Sequence, residues 1–210
     1  LAGTTPASVI CEILNDDGSM ARLPDLIKFS KKHGIKIGTI ADLIEYRSKK
    51  EKLIKKISEE EVSTEFGMMK LIVYSDLLSK NTHLAFVKGT IKKDDEVVVR
   101  VHEPLSILDF VSKETPHSWP PLKALKKISD EKNGVVIFLN YNESQNNITS
   151  KLNHENITLK KSTDLRSYGI GSQILVDIGV SKMKLLAAPR KMPSMAGYGL
   201  QVTEFIENNI

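Results

Sequence analysis

Four short stretches hold the side chains whose types could do chemistry. "RVHEPLSILDFVSKETPHSW" carries His102, Asp109 and His117, two imidazoles and a carboxylate of the kind that bind a divalent cation. "TDLRSYGIG" sets Asp164 two residues before Arg166. A carboxylate so placed can take a proton, or more plainly can cap a helix and pair with the guanidinium. Arg190 and Lys191 stand side by side, and together with Arg100 and Arg166 they supply cations suited to phosphate. Near the start, Glu12 follows Cys11, the chain's one cysteine, so no intramolecular disulfide forms. Gly169 and Gly171 are not a dinucleotide fingerprint, because the third glycine is missing and a helical pattern surrounds them.

The composition narrows the partners. The chain has 210 residues, 40% of them hydrophobic, enough for a real core in one large or two small domains. Thirty basic residues against 26 acidic ones leave a net charge of +4. The basic runs "RSKKEKLIKK" and "LKKSTDLR" are short, and aromatic residues for base stacking amount to 6%, so both read as solvated faces and nucleic acid is not an expected partner. No apolar run approaches the roughly 20 residues that span a bilayer. No membrane association is expected, and a cytoplasmic location is. Asn142, Asn147 and Asn156 match the glycosylation acceptor pattern, read as chance in a polar loop. Opening at Leu1 inside a structured pattern, the chain reads as a fragment.

The elements that must position these residues follow from pattern. "ASVICEIL" reads as a buried strand, "LPDLIKFSKKHG" as a helix with Pro24 in its first turn and Gly34 at its end, and "IKIGTI" as a strand. "TIADLIEYRSKKEKLIKKI" reads as one long helix starting near Thr39 or Asp42, its polar second half forming a basic helical linker over 49–61. From Val62 the pattern turns to strands: "FGMMKLIVYSD", "THLAFVKGTI" and "DEVVVRVHE". A helix over "PPLKALKKISDEKNG", a strand "VVIFLN", a polar loop over 140–161, a helix over "TDLRSYGIGSQILVDIG" and strands at "KMKLLAAP" and "GLQVTEFIE" complete the reading. The fold class is α+β.

"CEILNDDGSMARLPDLIKFSKKHGIKIGTIADLIEYR" resembles the C-terminal end of 3,4-dihydroxy-2-butanone 4-phosphate synthase, over residues 1 to 48. The resemblance implies a proton-transfer role for Glu12 in an intact synthase that also uses Mg²⁺. The family's phosphate-binding arginine, its threonine and its metal-binding glutamate and histidine belong upstream of these residues. Glu12 by itself is expected to catalyse nothing. That family also occurs fused, through a basic helix like "EYRSKKEKLIKKI", to GTP cyclohydrolase II.

"STEFGMMKLIVY", "HLAFVKGTI", "VVVRVHE", "DLRSYGIGSQIL" and "GYGLQV" are similar to that second enzyme, implying a mixed α/β domain over 62–210. The family holds Zn²⁺ with three thiolates. Laying its cysteine loop along this chain puts Leu105, Pro116 and Ser118 at those places, so zinc is expected to be lost. His102, His117 and Asp109 are the one set that could rebuild a metal site. Trp119 and its neighbouring prolines read as packing. The family's arginine–glutamine–glutamate–glycine–arginine–glycine loop becomes "YNESQNNITSKL", and the place of its catalytic tyrosine falls in a shortened segment between Leu152 and Thr163. Asp164 and Arg166 match the family's base and its proposed nucleophile. Arg100 matches a substrate-contacting arginine, and Arg190 with Lys191 a phosphate-binding lysine. These departures predict a cyclohydrolase-like domain without GTP hydrolysis and without a bound cofactor, kept for homodimer formation or to support the synthase half. The alternative is a nucleotide- or flavin-sensing domain, and the third reading an active enzyme with a rebuilt metal site.

Overall fold

The structure is a computed structural model that describes residues 3–103, 106, 108–111, 119–141, 164–190, 192 and 195–208. The chain divides into two compact units, Leu1–Leu43 and Ile44–Ile210. The expected polar loop over 140–161 lies almost wholly outside the described residues.

The first unit is held by local bonds. α1 (Leu23–His33) begins with Pro24 in its first turn and ends at Gly34, whose φ of 64° is the left-handed cap that glycine adopts without a Cβ penalty. The start of α2 (Ile40–Lys50) is a reciprocal capping box: the Asp42 amide donates to Thr39 Oγ1 at 3.0 Å, and the Thr39 amide donates to the Asp42 carboxylate at 3.2 Å. Two expected strands are absent. "ASVICEIL" and "IKIGTI" form no ladder, with one bridge between Leu14 and Met20, and Ile40 opens α2 instead. Apolar alternation makes a strand only where a neighbour accepts its backbone groups, and the described residues of this unit offer that single bridge.

The second unit is α+β. Among the described residues it has seven strands: β1 (Ile54–Thr64), β2 (Gly67–Asp76), β3 (Thr82–Lys88), β4 (Glu96–His102), β5 (Gly134–Phe138), β6 (Lys182–Leu186) and β7 (Gln201–Ile206). Their order is β1-β2-β3-β5-β4-β6-β7, antiparallel from β1 to β5 and parallel from β5 to β7. The basic helical linker over 49–61 is therefore corrected, because the helix stops at Lys50 and residues 54–64 form an edge strand. Lysine and glutamate favour a helix when isolated. Here the apolar β2 supplies a ladder, and Lys70 of that strand meets Glu59 at 2.6 Å.

Among the described residues three α-helices accompany the sheet: α3 (Leu108–Val111), α4 (Pro121–Ser129) and α5 (Asp164–Ile178). Period-2 alternation sorts the strand residues onto two faces. Val98, Val136, Phe138 and Leu186 pack with Ala124, Leu125 and Ile128 of α4. Val97, Val99, Val135, Ile137 and Leu139 pack with Ile170, Ile174 and Leu175 of α5. The glycines of "GIG" serve this second face. A Cβ on Gly169 would lie 2.9 Å from the Tyr198 hydroxyl, and one on Gly171 would lie 3.3 Å from a Val101 methyl. Among the described residues no helix is long and apolar enough to cross a membrane.

Candidate functional site

β4 and β5 are adjacent and parallel, and the helices that follow them cover opposite faces of the sheet. Their carboxyl ends therefore form a crevice of the kind where open α/β sheets hold ligands. Alternation along β4 sends Arg100 and His102 to the α4 face, beside Val98 and Phe138. The His102 ring is fully buried, edge-on to Phe138 at 6.1 Å, and its Nε2 lies 2.9 Å from Asp109 Oδ2. The same carboxylate oxygen accepts the Ser106 amide at 2.8 Å, while the Asp109 amide donates to the Ser106 carbonyl at 3.1 Å. Asp109 thus closes the turn that opens α3 and fixes the imidazole at once.

Two of the three residues that could rebuild a metal site are thus bonded to each other. Cys11, the one cysteine, lies in the other unit. Among the described residues no group of three or more His, Cys, Asp or Glu side chains is arranged to hold a metal. Leu105, Pro116, His117 and Ser118 lie outside the described residues.

Arg100 is 7% exposed, and its Nη1 donates to the Leu186 carbonyl at the end of β6 at 2.8 Å. Its Nε has no hydrogen-bond partner among the described residues. Burial first, then the neighbouring positive charge of Arg190, push the guanidinium down to about 10, against the pull of Asp109. It stays charged at neutral pH. Arg100 and Arg190, a cation pair, are thus near enough for their like charges to act on each other. A cleft of about 480 Å³ has Arg190 on its wall and is otherwise mostly apolar, lined by Met192, Met195, Leu200, Val202 and Phe205. Arg100, His102 and Asp109 do not line it, so it lies beside the cation pair rather than containing it.

The remaining sequence candidates are dispersed. Asp164 and Arg166 occupy the first turn of α5, on the face of the sheet opposite to Arg100, and their side chains lie outside the described set. Lys191 lies outside the described residues. Glu12 is exposed in the first unit and belongs to no strand.

Three buried polar features escaped the sequence reading. His83, at an inward position of β3, is fully buried and accepts the Asn140 amide through Nδ1 at 3.2 Å, with Tyr141 edge-on at 5.4 Å. Tyr74, fully buried on β2, donates its hydroxyl to Asp177 of α5 at 2.7 Å. Burial, then that hydrogen bond, push the phenol well above its usual value. Gln173 of α5 bonds the backbone on both sides of Lys52. The available signal was a polar residue at an inward position of each pattern.

A family model described as GTP cyclohydrolase II matches residues 55–207, and one described as 3,4-dihydroxy-2-butanone 4-phosphate synthase matches residues 1–46. A 3,4-dihydroxy-2-butanone 4-phosphate synthase of Neisseria meningitidis serogroup B is 46% identical over 98% of this chain and 56% of its own length. The riboflavin biosynthesis protein RibBA of Aquifex aeolicus is 41% identical over 97% of this chain and 54% of its own. Among solved structures, RibBX, a two-domain 3,4-dihydroxy-2-butanone 4-phosphate synthase from A. baumannii, is similar with a TM-score of 0.55 and 33% identity, covering 93% of this chain and 53% of that one. The chain spans just over half the length of the curated relatives it matches. By a match that takes in the whole sheet and both of its packed faces, the chain belongs to the GTP cyclohydrolase II family, preceded by a stretch of 3,4-dihydroxy-2-butanone 4-phosphate synthase sequence.

Proposed function

We propose that this chain serves riboflavin biosynthesis as part of a two-part protein. Its synthase half makes 3,4-dihydroxy-2-butanone 4-phosphate from ribulose 5-phosphate, and its cyclohydrolase-like unit supports that half without hydrolysing GTP. The observation that carries the reading is the pairing of His102 with Asp109, which commits to a turn the two described side chains that could have replaced lost thiolates. A ring-opening hydrolysis needs a metal-activated water and a preorganised clamp for developing charge, and losing either costs several kcal/mol of transition-state stabilisation. The relatives named only for the synthase activity support the same reading. The supporting role includes homodimer formation, with the synthase half as the partner in cis. The test incubates the chain with GTP, Mg²⁺ and Zn²⁺ and follows formamidopyrimidine product. A rate above the enzyme-free control would falsify the claim. Activity, stability and oligomeric state of the full-length synthase, with and without this unit, test the supporting role, and equality in all three would remove it.

The buried guanidinium favours a second reading, in which the crevice keeps affinity for a nucleotide or flavin phosphate without turnover. Arg100 presents an unbonded Nε–H beside the charge of Arg190. Calorimetric titration of GTP with Mg²⁺ present is expected to give a saturable heat that Arg100→Met abolishes. No heat from the unsubstituted chain would leave only the scaffold.

A further inference from the structure

The two family matches stop short of each other, one at residue 46 and the other beginning at residue 55. The residues between them belong to neither match, yet they are the ones that α5 holds most specifically. Gln173 Oε1 accepts the Leu53 amide at 2.8 Å, and its Nε2 donates to the Glu51 carbonyl at 2.8 Å. Those two partners fix which end of the side-chain amide is oxygen, since one must accept and the other must donate. On its other side the Leu53 carbonyl accepts the Leu77 amide at 2.8 Å, which extends the β1–β2 ladder by one bond.

The same face of α5 continues one turn to either side of Gln173. Gly169, Gln173 and Asp177 are spaced i, i+4, i+8 and line one stripe of the helix. A Cβ on Gly169 would come 2.9 Å from the Tyr198 hydroxyl and 3.5 Å from a Leu53 methyl. Asp177 accepts the hydroxyl of buried Tyr74 and lies 3.8 Å from Lys56. Within the joint, Arg47 clasps Glu51 through Nε and Nη2, at 2.9 and 2.7 Å, and so stiffens the last turn of α2.

We infer that this stripe of α5 is a docking strip for the joint between the two family segments, with Gln173 as its latch. Its occupant is this chain's own Glu51–Leu53 peptide. The latch holds the last residues of the joint on the cyclohydrolase-like unit. It acts whether or not that unit binds a nucleotide, so it does not depend on the function proposed above.

The test is limited trypsin digestion of the full chain. Lys50 and Lys52 are exposed, yet the bond after Lys52 leads into the latched Leu53 amide. Gln173→Met keeps the volume and removes both hydrogen bonds. Cleavage after Lys52 is expected to quicken roughly tenfold, as a local opening freed of about two net hydrogen bonds would allow, with cleavage elsewhere unchanged. Equal rates at Lys52 in the two proteins overturn the latch. A rise at every site would mean that the variant loosens the whole unit. Hydrogen exchange on the unsubstituted chain then decides: a Leu53 amide protected like those of β2 supports the latch, and one exchanging like free backbone sinks it.

Discussion

In the first unit Leu23, Ile27, Ile35 and Ile37 stand 40–57% exposed, and α1 buries none of its residues. In the second, Ile128, Ile170 and Ile174 have no surface left open. The sequence patterns of α1 and α4 are alike, each amphipathic with a proline at the start. The difference is what lies across from the apolar stripe. α4 meets Val98, Val136 and Phe138, so its stripe stabilises the fold, whereas α1 relies on its end caps. An amphipathic helix of eleven residues is marginal in water until a surface covers it. The synthase-like stretch thus carries the pattern of a folded domain without a core of its own among the described residues, and the cyclohydrolase-like unit is self-sufficient.

The sharpest way to break that contrast is a matched truncation. Ile174→Ala is expected to cost about 2–5 kcal/mol in urea unfolding, and Ile27→Ala less than about 1 kcal/mol, because only the first leaves a cavity. Equal losses would mean that α1 is covered as well as α5. Within the second unit, Asp109→Ala should cost about 1–3 kcal/mol, since it strips the buried His102 and the Ser106 amide of their shared acceptor. A neutral result would free the dyad for a role other than holding the turn.

Tyr74→Phe is next in size, at about 1 kcal/mol near neutral pH. It also carries a pH signature. The folded phenol titrates well above its unfolded value of 10.0, so the folded state keeps a proton that the unfolded chain gives up. The stability it supplies is complete below about pH 10 and is lost as pH rises further. Arg100 works the other way. Lowered to about 10 from 12.5, it releases its proton first in the folded state, so stability gains between those values. Unfolding of the parent and of Tyr74→Phe across that limb cancels the arginine and leaves the tyrosine slope. Identical slopes would contradict the buried bond to Asp177. The smallest expected effect is that of Zn²⁺, which should leave the melting temperature unchanged. A ligand bound to the folded state alone would raise it by mass action, and a rise that saturates at stoichiometric zinc would revive a rebuilt site through His117.

Much of the second unit was legible because its signals are local. Gly134 and the apolar run after it announce β5, the alternation of "THLAFVK" announces β3, and the twin prolines before Leu122 announce α4. The expectation that Leu105, Pro116 and Ser118 stand at the family's thiolate positions likewise rests on residue type, through the resemblance, and needs no coordinates. Residues 54–61 were not legible. Their lysines and glutamates fit an exposed helix face as well as an edge strand, and only the ladder offered by β2 separates the two.

Sequence alone determined which family's pattern each part follows, that one cysteine cannot build a three-thiolate site, and that Arg100, Arg166, Arg190 and Lys191 supply cations suited to phosphate. Tertiary structure decided which of those residues meet. It turned His102 onto Asp109, set Arg100 against the Leu186 carbonyl, and brought Gln173 to the Glu51–Leu53 backbone across 120 positions of sequence. The physical reason is that side-chain identity is written residue by residue. The partner that satisfies a buried polar group is chosen by whichever strand or helix the packed core places within a hydrogen bond's reach.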